Sequence, residues 1–496
     1  MSDDLSALVW GALMPGVIAH PVEPWVLRAV AQGVSAVCLF QDASGSPKRT
    51  LATVNELRAA SSDLLIAVDE EGGEITRLQS NTGSSFLSPF ALGVVADPEV
   101  TRATGCLIGQ MLRTSGIDWT FAPVADVNVD PHNPVIGVRS FGADAELASM
   151  HVGAFIAGIQ STGVIATAKH FPGHGDTHVD SHESLPTVSA TVDLLRHREL
   201  LPFKAAIGAG VGSVMTGHLL VAAIDPDSPA SMSRSITTNL LRDELGFNGV
   251  IVTDALDMGA IVGPSGQSPL HAAVASLLAG ADILCLGAVD QERAINSAAK
   301  AIFTALADGT LPAAVLIAAA KRREQLINSR RESYPRINVK RDEELVADAA
   351  ERSLLVQGDV TLTGSQVDVL RLGASRGSAM GATPTCIGSH LLGFGLDINF
   401  IDTVVARSDR DLVIEVRDTW MSADLLRVLS DAVHARPDAV IVNVGMPNQV
   451  LPKCRGSITT HGIGNLSLSI AACKLTGRDP RPVVLSILEE AQVAIR

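Results

Sequence analysis

Short apolar runs recur through the first two thirds of the chain, each closed by a polar or glycine-containing loop and followed by residues at helical spacing. They are Leu8–Leu13, Ala36–Phe40, Leu64–Val68, Trp119–Val124, Val164–Ala168, Val211–Met215, Val250–Val252 and Ile283–Leu286. Continuous apolar runs of this length suit strands buried on both faces, as in parallel sheets covered by helices. Eight β/α units over roughly 300 residues predict a (β/α)8 barrel of the TIM type, because a right-handed parallel array of that size closes naturally. An open doubly wound sheet is the other arrangement that a count of strands allows.

Helical patterns fall between the runs. Thr191–Leu201 carries apolar residues at helical spacing and is limited by Pro202, and Thr237–Leu245 has a polar start and a stopping Gly246. Ala272–Leu286 is apolar but broken at Gly280-Ala281-Asp282, which predicts a helix, a turn and a strand in place of a membrane span. Between Asn328 and Glu344 the chain turns charged, with Arg330-Arg331-Glu332 and Pro335, which marks a linker. Residues 1–335 are therefore expected to form the barrel and 336–496 a smaller α/β unit with an open sheet. Its strands are expected at Ser353–Val356, Val367–Leu370, Leu412–Val416, Ala439–Val444 and Val483–Ile487.

Composition narrows the function. A net charge of −15 disfavours nucleic acid and anionic membranes as partners, since both need clustered Lys and Arg. The six cysteines are scattered without metal-ligand spacing, and the acidic start Met1-Ser2-Asp3-Asp4 lacks the basic region of a signal peptide. A soluble, cytoplasmic protein is expected. One Tyr and four Trp are too few to pave a long polysaccharide cleft, but a pocket gripping one polar ring remains open.

Candidate chemistry lies where the runs end. After the fifth comes Lys169-His170-Phe171-Pro172-Gly173-His174-Gly175-Asp176-Thr177-His178-Val179-Asp180-Ser181-His182. His or Asp occupies every other position from His174 to His182, so an extended conformation would turn all five to one side. Asp69-Glu70-Glu71-Gly72-Gly73-Glu74-Ile75-Thr76-Arg77 follows the third run, where Gly72-Gly73 would let backbone approach a ligand. Asp126, Asn128, Asp130 and Arg139 follow the fourth, and His218 the sixth. Asp254 ends a very apolar strand, either as the N-cap of the next helix or as a rigidly held nucleophile. Asp257 reads as the cap or as a supporting group.

These motifs together resemble glycoside hydrolase family 3, in its two-domain form and in the β-N-acetylglucosaminidase branch. Lys169 to Thr177 followed by Asp180-Ser181-His182 is the most specific piece, and the Val252-Thr253-Asp254-Ala255-Leu256 context also fits. The resemblance implies Asp254 as nucleophile and His182 as general acid/base, with Asp180 as its partner. Asp69, Arg77, Arg139, Lys169 and His170 would hold the hydroxyls of the terminal sugar. It implies a retaining double displacement through a glycosyl-enzyme, acting on a small glycoside such as a chitin fragment or a muropeptide from cell-wall turnover. No cofactor or metal is expected.

Imidazole, unlike a carboxylate, need not repel an anion, so inorganic phosphate is an alternative acceptor and phosphorolysis an alternative reaction, on glucosides or N-acetylglucosaminides. Two further readings belong to other classes. A metal-dependent hydrolase would use His174, Asp176, His178, Asp180 and His182 as ligands, although neither HExxH nor HxHxDH is present. A sugar-binding protein without turnover is the other.

Overall fold

Parallel pairing organises the first two thirds of the chain. In the computed structural model, which describes residues 3–40, 44–262, 269–329, 338–373, 385–447 and 450–493, the strands of this region are β1 (Leu13–Met14), β2 (Gly16–Val17), β3 (Ala36–Leu39), β4 (Leu65–Val68), β5 (Trp119–Thr120), β6 (Thr167–Phe171), β7 (Thr187–Val188), β8 (Ser213–Thr216), β9 (Leu220–Val221), β10 (Val250–Thr253) and β11 (Leu284–Cys285). β2, β3, β4 and β5 pair in that order, and so do β6, β8 and β10, all parallel. Parallel bridges Trp119–Ile165 and Val252–Ile283 link β5 towards β6 and β10 towards β11. β11 pairs with β1, which continues past Pro15 into β2, so the succession returns to its start.

Side-chain alternation sorts these strands into two cores. Ala36, Cys38, Leu65, Ala67, Val250 and Val252 meet Trp119 and Phe121 in one cluster. Val37, Leu39, Ile66, Val68 and Ile251 belong to the larger cluster shared with the helices. Trp119 can be wholly buried because its indole N–H donates to Thr167 Oγ1 at 2.7 Å and Ser213 Oγ at 3.0 Å.

The remaining strands are β12 (Leu355–Gly358), β13 (Gln366–Gly373), β14 (Asp397–Ile401), β15 (Asp411–Arg417), β16 (Val440–Asn443) and β17 (Gly456–Thr459). They form one open sheet in the order β12-β17-β16-β15-β13-β14, antiparallel only between β12 and β17. Separate apolar clusters cover its two faces.

Several expectations shift. Leu8–Leu13 is not a strand: helix Asp3–Gly11 takes most of it, and extended structure begins at Leu13. Val483–Ile487 lies inside helix Pro480–Val493, where Val484, Ile487, Leu488 and Ala491 are buried at helical spacing. β14 and β17 gave no apolar run, because β14 is a largely exposed edge and β17 holds one large apolar residue, Ile458. Pro202 does not end a helix; it sits in the first turn of Leu200–Gly208, where its missing N–H costs nothing. The Thr237 helix begins at Ser235 and has π-type bonding, and Gly246 (φ 72°) does follow its end. The segment from 269 to 285 is a helix, a turn and a strand as expected. Arg330-Arg331-Glu332, Pro335 and the boundary at 335 lie outside the described residues.

At the amino ends of the strands, Asp282 is fully buried and bonded to Arg242 at 2.6 Å, Arg322 at 2.9 Å and the N–H of Ile251 at 2.8 Å. Removing its carboxylate would leave Arg242 buried without that anion. Asp282→Ala is expected to lower stability by about 3–5 kcal/mol, read as a lower urea midpoint; an unchanged midpoint would remove this cluster from the list of structural supports.

Candidate active site

The carboxyl ends of β4, β6 and β10 converge on a cavity of about 760 Å³. Asp69, Arg77, Arg139, Lys169, His170, His182 and Asp254 all line it. Asp180 stands behind His182, with Oδ1 2.7 Å from His182 Nδ1 and 2.9 Å from its backbone N–H. All eight side chains to which the family resemblance gives a role are therefore gathered at one place.

Lys169 and His170 are not in the loop but on β6, whose register against β8 shifts between Ala168 and Phe171. A regular strand would turn adjacent residues to opposite faces; the irregularity lets both reach the cavity. Lys169 Nζ lies 2.9 Å from Asp69 Oδ1 and 2.6 Å from Glu71 Oε1. Arg139 donates twice to Glu71, at 2.9 and 2.8 Å, and Arg77 lies 3.5 Å from Asp69. Burial alone would raise the acids' pKa values, yet the facing cations outweigh it and hold Asp69 far below the usual carboxylate range and Glu71 at about 2. Lys169 and Arg139 are raised in turn, burial opposing the shift and the acids driving it.

Glu70 faces the protein. Burial pushes it up to about 7 against bonds from Thr76 and from the N–H groups of Leu78 and Arg77.

Asp254 follows β10, its backbone N–H bonded to Thr216 O at 2.9 Å. It caps no helix: the next one begins at Gly259, and its carboxylate accepts from Ala255 N–H at 2.8 Å. Burial would raise its pKa, but His170, His218 and His182 hold it below the ordinary value. His182 shifts upward, burial opposing and the Asp180 bond and Asp254 charge prevailing. Asp180 is lowered, burial opposing and the His182 bonds prevailing. Asp257 lines the cavity and pins the loop after β11 by accepting from Ala288 and Val289 N–H at 2.8 and 2.9 Å.

The His/Asp loop is a succession of turns, so its five alternating residues do not share a face. Buried His174 binds Thr177 and Ser181 through its two ring nitrogens, and burial lowers it to about 4. Asp176 pairs with Arg198, and exposed His178 with Asp130 at 2.6 Å. Among the described residues, no group of three or more His, Cys, Asp or Glu side chains is placed to hold a metal ion. His218 is a buried group bonded to Ser231 and Ala255 O, while exposed His132 packs edge-on to Trp420.

Glu71 and Asp126 stood in the candidate segments of the sequence but were given no role there. Asp126 accepts from His170 Nδ1 at 2.7 Å and from the N–H groups of His170 and His174 at 3.2 and 2.7 Å, fixing the imidazole that faces the cavity. For Glu71 a signal existed: three cations, Arg77, Arg139 and Lys169, set against Asp69 alone require a second anion nearby.

The profile described as "Glycosyl hydrolase family 3 N terminal domain" matches residues 26–326. The chain belongs to glycosyl hydrolase family 3. This family 3 chain is 36% identical over 283 residues to Beta-hexosaminidase A of Pseudoalteromonas piscicida, covering 53% of the chain and about half, 47%, of that relative. It is 34% identical to the Beta-hexosaminidase of Chromobacterium violaceum over 67% of the chain and 91% of the relative. Among solved structures it resembles a glycoside hydrolase family 3 beta-N-acetylglucosaminidase from Paenibacillus sp. str. FPU-7, at 28% identity and a TM-score of 0.84, over 96% of this chain and 97% of the other.

Gly175 shows how tightly the family 3 chain holds its loop: a Cβ there would fall 1.9 Å from Val127 O. Gly175→Ala is expected to cost about 1–3 kcal/mol and to disturb the His174 to His182 segment; a thermal midpoint equal to that of the parent would refute this.

Proposed function

We propose that the chain is a retaining, exo-acting β-N-acetylglucosaminidase on a (β/α)8 barrel, with residues 336–496 as the second α/β unit. What carries the proposal is the shared cavity, onto which open both the Asp254 carboxylate and the His182 imidazole backed by Asp180. A cavity of this size, with few aromatic walls, suits a terminal sugar and a small leaving group. Asp69, Arg77, Arg139, Lys169 and the Asp126-oriented His170 would hold the ring hydroxyls.

Asp254 is kept anionic and attacks the anomeric carbon. The bond from that carbon to the leaving oxygen breaks as His182 supplies a proton. Since Nδ1 is engaged by Asp180, the proton leaves from Nε2. In the second step the same nitrogen takes a proton from water as the water oxygen attacks the anomeric carbon and frees Asp254. Neutral imidazole adds no negative charge beside the intermediate, which favours phosphate as the second acceptor to test. The free cysteines support a reducing, cytoplasmic location, and no helix among the described residues is long and apolar enough to cross a membrane.

The decisive assay offers aryl β-N-acetylglucosaminide and aryl β-glucoside, with and without phosphate, and identifies the sugar product. Free N-acetylglucosamine is expected; a sugar 1-phosphate would make the chain a phosphorylase. Asp254→Asn is expected to abolish turnover and labelling by a 2-fluoro sugar, and retained turnover would remove Asp254 as nucleophile. His182→Ala should impair natural glycosides far more than aryl glycosides with good leaving groups; equal losses would count against the acid role.

The pH profile follows from the shifts. The general acid must be protonated, and a raised His182 pKa keeps it so above the 6.5 of an ordinary imidazole. For poor leaving groups kcat/KM should therefore decline only at higher pH, while its acid limb, set by Asp254, should lie below 3.8. A decline centred below pH 6.5 would contradict the assignment.

A further inference from the structure

In open α/β sheets the carboxyl edge of the parallel strands is the usual place for a ligand. Here a segment of the first strand array fills it. Leu466 N–H donates to Ser84 O at 3.2 Å, Ser88 Oγ donates to His461 O, and the Phe90 and His461 rings stack at 5.6 Å. At the end of β15, Arg417 Nη2 donates to Glu74 Oε2 at 2.7 Å. Both partners are nearly enclosed, with 11% and 1% of their side chains exposed.

Glu74 lies between Glu71 and Arg77 in the strip that carries the sugar-holding groups, but it turns away from them. Gly73 is the pivot. Its φ is 58°, its N–H donates to Phe86 O at 3.1 Å, and a Cβ would fall 2.5 Å from Ser88 Cβ. The glycines thus bring the strip against the chain's own 84–90 segment, not against a ligand as the sequence suggested. The strip is held on one side by Lys169 and Arg139 and on the other by the second sheet.

We infer that the carboxyl edge of the second sheet braces the strip from Asp69 to Arg77, and that Arg417 is a positioning residue acting through Glu74. The inference rests on the sugar-binding role proposed for Asp69 and Arg77. Interactions that hold a sugar equally in ground and transition states govern KM and leave kcat unaltered. Arg417 should therefore tune substrate affinity without touching substrate.

The test uses the full chain and 4-nitrophenyl N-acetyl-β-glucosaminide, with active sites counted by 2-fluoro sugar labelling. Arg417→Met is expected to raise KM about tenfold with kcat within about twofold, and Arg417→Lys to recover most of the loss. The double variant Glu74→Gln/Arg417→Met should be no worse than Arg417→Met alone. Unchanged KM in labelled Arg417→Met enzyme, or strictly additive effects of the two substitutions, would overturn the inference. Should Arg417→Met fail to fold, Glu74→Gln decides, since it leaves Arg417 in place beside Asp418 at 3.6 Å: raised KM supports the brace and parental KM overturns it. If the parent enzyme itself is not labelled, the activity proposal has failed; a failed brace leaves that labelling intact.

Discussion

The cavity depends on opposite charges kept out of water. Lys169 and Arg139 are almost wholly enclosed, and such cations are tolerable only because Asp69 and Glu71 meet them at hydrogen-bond distance. The acids come from the end of β4, the lysine from β6 and Arg139 from the loop after β5. The network therefore forms only when three separate strand ends lie side by side. It also fixes protonation, because each group holds its neighbours in their charged forms.

Asp254 and His182 are supported differently. Asp254 follows a buried strand and is set by backbone bonds, whereas His182 sits in a loop made of turns. That loop is steadied by Asp176–Arg198, His178–Asp130 and His174 with Ser181. The proposed nucleophile is thus placed by the sheet and the proposed acid/base by a set of local bonds.

Much of this was legible in the sequence. Strand runs such as Ala36–Phe40 and Leu64–Val68 were clear because strands buried on both faces need uninterrupted apolar residues. Val483–Ile487 misled because a buried helical face and a buried strand both draw on Val, Leu and Ile, and β14 was silent because an exposed edge needs no such run. The site residues were readable by type and position, and the motif resemblance supplied roles that spacing alone left open. Partners across the fold were not readable: Arg417 lies 343 positions from Glu74, and nothing local to either marks the pair.

The main core does not stop where the second sheet begins. Val346, Ala347, Leu466, Ile470, Val484 and Leu488 join the cluster built around the first strands, and Gln492 donates to Leu107 O at 3.0 Å. Helix Pro480–Val493 thereby covers helix Pro98–Thr114. That earlier helix packs mainly against Ala145–Gln160, made soon after it, and only the patch taken by Val339–Ala349 and Pro480–Val493 stays open until those later helices have left the ribosome.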